Sequence, residues 1–105
     1  VLDTTPLILA VDHFADRLRA APQSRLQRGA AAEALAAARE LGARAQRLEN
    51  PDAEPREMPD AGMFAVGDQL AVAGRDLAVA LEAAPSQELD EAVRYVGEAA
   101  ARAFA

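Results

Sequence analysis

The sequence has no cysteine, no tryptophan and no lysine, and a single histidine among its 105 residues. Without cysteine there can be no disulfide, no cysteine-ligated zinc and no thiol nucleophile. That fits a reducing compartment, so a cytoplasmic protein is the expectation. Aromatic residues are scarce, limited to Phe14, Phe64, Tyr95 and Phe104. Long apolar runs are missing too. Leu7–Val11 and Leu77–Leu81 reach only five residues, against the ~20 that a transmembrane helix needs. No positively charged start precedes an apolar segment, so no secretory signal is read. The chain begins at Val1 rather than at methionine, which leaves processing of its start open.

Basic residues are outnumbered. Eleven face seventeen acidic residues, for a formal charge of −6. Binding to phosphate backbones and to anionic lipid surfaces draws on Lys and Arg. Neither nucleic acid nor membrane is therefore expected as a partner. The missing lysine has a simpler cause than function. Ala, Arg, Gly and Pro have GC-rich codons. Lys, Ile, Asn and Tyr have AT-rich ones, and here they number zero, one, one and one. The bias points to a high-GC, bacterial genome.

What the chain does have is alanine. Hydrophobic residues make up 51%, but 28 of the 105 residues are alanine. A chain of this length forms one domain and buries roughly 60–70% of its unfolded surface. Its core must be built from Leu, Val and Ala, with elements packed close together.

Proline and glycine divide the chain into four helical segments, and no alternating strand pattern appears. The first spans about 6–20, with Thr5 as N-cap before Pro6. Leu7, Val11, Phe14 and Leu18 lie on one face. The second spans about 25–49, where Ser24 and Gln27 have capping-box spacing. Its stripe is Leu26, Ala30, Ala34, Ala37, Leu41, Ala45 and Leu48, widened by Ala31, Leu35 and Ala38. The third spans about 61–83 with Asp60 as N-cap and a stripe of Met63, Val66, Leu70, Ala73, Leu77 and Leu81. The fourth spans about 87–103 behind Ser86. Short links join the first pair and the second pair as hairpins. An acidic, proline-rich linker at 50–60 joins the two hairpins. The expected fold is an all-α antiparallel four-helix bundle in a single domain covering 1–105.

The third segment carries the clearest candidate site. Opposite its core stripe lie Ala65, Val72 and Val79, spaced by heptads. Asp68 and Arg75 flank this strip on one edge, Gln69 and Asp76 on the other. A further row of Gly67, Ala71, Gly74 and Ala78 suits close helix approach. A helix that is apolar on several faces is either central to its fold or covered by a partner. A homodimer is the commonest way to cover such a strip.

A second candidate cluster is Asp12, His13 and Asp16, whose residue types suit a hard-metal or proton-transfer site. Its bland reading is a solvated face bearing helix charge pairs. A lone helical histidine in a bundle of this size resembles the phosphotransfer domain, but the lysine that follows the histidine in that family is absent here. Asp12 and Asp16 would also repel a phosphoryl group. Glu54, Glu57 and Asp60 have the spacing of acidic magnesium motifs in all-α pyrophosphohydrolases. Pro55 and Pro59 break the helix that such a motif requires, so the expectation is a solvated loop. Charge is unevenly spread: residues 23–49 are net +2 and the linker is net −3. Arg25, Arg28 and Arg39 share one side of the second segment, facing solvent, an acidic partner or the linker itself.

Nothing resembles a phosphate loop, a Ser–His–Asp set or a metal cluster. The residues therefore read as a non-catalytic protein–protein interaction or regulatory module, with no cofactor. The alternative is a small-molecule or metal-binding bundle using the carboxylates near His13.

Overall fold

The computed structural model describes residues 1–105, all helical or irregular, with no strand. Helix α1 is Thr5–Ala20. Helix α2 runs through Gln23–Arg25, Leu26–Ala30 and Ala31–Glu49 and is kinked at Gly29, whose backbone is not helical. Helix α3 is Val66–Leu81 and α4 is Ser86–Ala103. The four helices form the expected bundle, measuring 40 × 26 × 17 Å. At ~1.5 Å per residue the straight part of α2, Ala31–Glu49, is about 28 Å long. No helix is long and apolar enough to cross a membrane.

The core is one contiguous cluster, and the stripes of the sequence account for most of it. Leu7, Val11, Phe14, Leu18, Leu41, Leu70, Leu77, Leu81 and Val96 are at most 2% exposed. Ala34, Ala37, Ala38 and Ala99 are fully buried between them.

Cross-contacts fix the helix directions. Arg19 bonds Asp68, and Arg75 bonds Asp12, so α1 and α3 are antiparallel. Tyr95 lies under Arg44, and Arg102 bonds Glu33, so α4 is antiparallel to α2. The ends of α2 and α3 tell a different story. Val66 shares a cavity with Leu26, Ala31 and Leu35, while Ala73 and Asp76 share another with Gly42, Ala45 and Glu49. Helices α2 and α3 therefore run parallel. The tightest packing is α2 on α3 and α1 on α3, followed by α1 on α4 and α2 on α4. The helices within each hairpin touch less than the hairpins touch each other.

This arrangement depends on the linker, which travels back along α2. Arg56 sits at the level of Gln46, Met58 at that of Arg39, and Gly62 and Met63 near Ala31 and Leu35. The six steps from Arg56 to Gly62 cover about 20 Å if extended. The helical path from Gln46 to about residue 33 is also about 20 Å. Arg39 meets the linker through the Met58 carbonyl at 2.8 Å and Glu57 at 3.2 Å. Of the arginine row, then, Arg39 docks on the linker. Arg25 instead donates to the Ala105 carbonyl at 3.3 Å.

Local signals at helix starts were less faithful. Helix α2 starts at Gln23, so Ser24 lies inside it and makes no capping bond. Asp60 accepts the Gly62 N–H at 2.8 Å and closes a turn rather than a helix. Gly62 sits at φ +95°, and α3 begins only at Val66. Within α2 the Ala31 N–H reaches back five residues to the Leu26 carbonyl across a kink. It is made possible by Gly29 at φ +139°, which L-residues avoid.

Close approach is decisive between α1 and α3. A Cβ on Gly74 would lie 2.6 Å from Val11 Cγ1 and 2.8 Å from its Cγ2. Gly74→Ala gains up to ~1 kcal/mol of helix propensity but overpacks a β-branched neighbour at a cost of ~1–3 kcal/mol. The expected result is a net loss of about 1–2 kcal/mol in urea unfolding, relieved by Val11→Ala in the double variant. Gly42, with nothing within 4 Å of its added Cβ, should gain up to ~1 kcal/mol as Gly42→Ala.

Tyr95 offers a second test. Burial, and then the Glu40 carboxylate, raise its phenol above the usual range. A raised folded value favours the neutral form in the folded state. That stabilisation is complete below about pH 10 and is lost as pH climbs through the folded value. With no lysine and no cysteine, Tyr95 is the only side chain apart from arginine that titrates there. Phenolate absorbance should therefore rise at higher pH in the folded protein than in urea. Coincident curves would show that the ring is not protected.

Candidate functional site: the outer face of α3

The small residues of α3 point at α1. Gly67, Gly74 and Ala78 are buried and Ala71 is half-buried. A Cβ on Gly67 would meet the Ala15 carbonyl oxygen at 3.3 Å. This row is thus used within the fold, as helix-to-helix packing.

The heptad strip is left outside. Val72 is 58% exposed and Val79 is 66% exposed. Ala65 is half-buried and occupies the N-cap position of α3. The regular strip therefore begins at Val72.

Its two edges are tied down. Asp68 accepts from Arg19 Nη2 at 2.7 Å and from Nε at 3.2 Å. Arg19 also pairs with Asp16 at 3.3 Å. Asp68 and then Asp16 hold the Arg19 proton more firmly than usual. Arg75 donates to both carboxylate oxygens of Asp12, at 3.1 and 3.3 Å. These pairs are solvent-exposed and worth no more than about 1 kcal/mol each. Their effect is to hold the charged side chains along one edge, away from the valines. On the other edge Gln69 donates to the Pro59 carbonyl at 2.8 Å, and Asp76 lines the cavity beside the linker.

Leu9 is the member that sequence reading missed. It is 64% exposed on α1. Val11 meets Gly74 and Asp12 meets Arg75, so Leu9 stands within about a turn of Val79 along the antiparallel seam. Its only sequence signal is its place off the stripe of Leu7, Val11, Phe14 and Leu18.

The polar cluster of α1 is dispersed. Asp12 is turned to Arg75 and Asp16 to Arg19, while His13 is exposed and makes no hydrogen bond. No three His, Asp or Glu side chains are placed to hold a metal ion. The remaining arginine contacts are structural. Arg44 pairs with Glu40 at 2.6 Å, an i, i+4 bridge. Arg17 lies 4.1 Å over the Phe104 ring, which meets Phe14 edge-on at 6.3 Å.

No family model, no curated protein and no solved structure matches the chain.

Proposed function

We propose that the protein is a small non-catalytic interaction or regulatory module that pairs with a second copy of itself across the outer face of α3. One observation carries this reading: Val72 and Val79, a heptad apart, are 58% and 66% exposed on a helix whose other apolar residues are buried or half-buried. A two-fold pairing sets the same strip against itself, apolar on apolar, and closes without leaving a free end. A stable dimer needs about 800 Å² from each copy. Two valines supply only part of that, so the contact extends over Ala65 and Leu9 and along the Asp68 and Arg75 edge. The ion pairs of that edge are satisfied within one chain, so they form a polar rim around the apolar strip. The absence of cysteine supports a cytoplasmic home, and the codon bias supports a bacterial one.

The test is sedimentation velocity on the wild type and on Val72→Glu/Val79→Glu, with helix content followed by circular dichroism. The wild type is expected to sediment as a dimer and the variant as a folded monomer. A wild type that stays monomeric at high micromolar concentration removes the proposal.

A further inference from the structure

Residues 54–61 make no backbone-to-backbone hydrogen bond. Their main chain is bound by side chains of two helices. On the α2 side the Gln46 amide takes both groups of one residue. The Arg56 N–H donates to Gln46 Oε1 at 2.8 Å, and Gln46 Nε2 donates to the Arg56 carbonyl at 3.1 Å. Arg39 Nε donates to the Met58 carbonyl at 2.8 Å, and its Nη1 pairs with Glu57 at 3.2 Å. On the α3 side Gln69 Nε2 donates to the Pro59 carbonyl at 2.8 Å. Residues 56 and 58 thus address α2, and residue 59 addresses α3. This is the two-residue alternation of an extended chain, here lying in a surface groove along the parallel helices, with Arg56, Glu57, Pro59 and Asp60 exposed.

Gln69 is only half used. Its Oε1 is buried without a hydrogen-bond partner. The Pro59 carbonyl fixes the orientation of the amide, because only Nε2 can donate to it. At Gln46 the matching contact is completed by the N–H of the same residue whose carbonyl is bound. At Gln69 that residue is proline, which has no N–H. A buried acceptor left in this state is costly. The strap is a ligand with one hydrogen bond missing.

We propose that the groove along α2 and α3 is a binding site for an extended peptide segment of a partner protein, and that residues 55–60 are its resident substitute. The fitting segment carries a carboxylate for Arg39, then an apolar side chain in the place of Met58, then a residue with a free N–H for Gln69. Charge favours it, since α2 is net positive and its present occupant net negative. There is room as well. Cavities of about 590 and 520 Å³ lie beside the two ends of the strap, the second lined by Leu26, Leu35, Met63 and Val66. Tethering gives the strap an effective concentration of order millimolar, which keeps the groove closed to weak ligands. The bond it lacks gives a better-matched segment its advantage. This site borders the Val72 and Val79 strip at Gln69 and Asp76 but uses neither valine.

The probe is a fluorescent, end-blocked peptide, Glu-Pro-Arg-Glu-Met-Ala-Asp-Ala. It is titrated into the full chain bearing Glu57→Ser and Met58→Ser, which loosens the strap. Saturable binding is expected. It should be roughly tenfold weaker for the peptide with proline in place of its first alanine, and lost on adding Gln46→Ala. Equal binding of the two peptides, or none, overturns the proposal. A shift of the loosened variant to a dimer that binds no peptide also overturns it, by giving the groove to a second copy's strap. A second measurement needs no loosened strap. Pro59→Ala in the otherwise native chain should raise Tm and protect the residue 59 amide from hydrogen exchange, despite losing proline's rigidity. Both gains should vanish on adding Gln69→Leu. A lower or unchanged Tm with an unprotected amide sinks the idea.

Discussion

The return of the linker along α2 is the constraint on which the rest of the bundle depends. Helix α3 lies parallel to α2, so the chain leaving Glu49 must be carried back to the far end before α3 can begin. Gln46, Arg39 and Gln69 hold that path by its main chain. With α3 so placed, α1 lies against it in the opposite sense and α4 fills the remaining corner against α1 and α2. The core is then one cluster drawn from all four helices.

Alanine sets the scale of this packing. A core poor in aromatics excludes water only if the helix axes come close together. Of the glycines, Gly74 is the most closely covered, with Val11 filling the space above it. Glycine there weakens the helix by itself, and the contact it permits compensates. The same crowding explains why α3 has an apolar surplus. Its core stripe faces α2, its small residues face α1, and Val72 and Val79 remain with no helix of this chain above them.

The helices were legible because their period was clear. Leu7, Val11, Phe14 and Leu18 could hardly have been read otherwise, and Leu70 and Leu77 likewise. The exposure of Val72 and Val79 followed from the same wheel. The direction of α3 relative to α2 was not legible, because the linker's path is fixed by side-chain amides bonding to main chain. Such bonds are indifferent to the identity of the residue they hold, so hydropathy and charge carry no trace of them. Only Arg39, facing an acidic linker, gave a hint. Helix starts misled for a related reason. Ser24 and Asp60 have capping chemistry, but Pro22 and Gly62 set the backbone around them, and the side chains followed. The carboxylates near His13 looked like a cluster along the sequence. Arg75, brought across by the fold, took Asp12 away from it.

The ring order of the helices has a consequence for how the molecule assembles. The two helices of each hairpin sit on diagonals, so neither hairpin has a core to fold around. The first lasting apolar contacts join α1 or α2 to segments many residues away. Folding must therefore close long loops before burial rewards it, which places this small helical protein among slower folders than a simple up-and-down bundle. On a ribosome, α1 and α2 emerge first and wait with their leucines exposed until α3 arrives. The interval in which this chain is most open to stray association is set by the synthesis of its own linker and third helix.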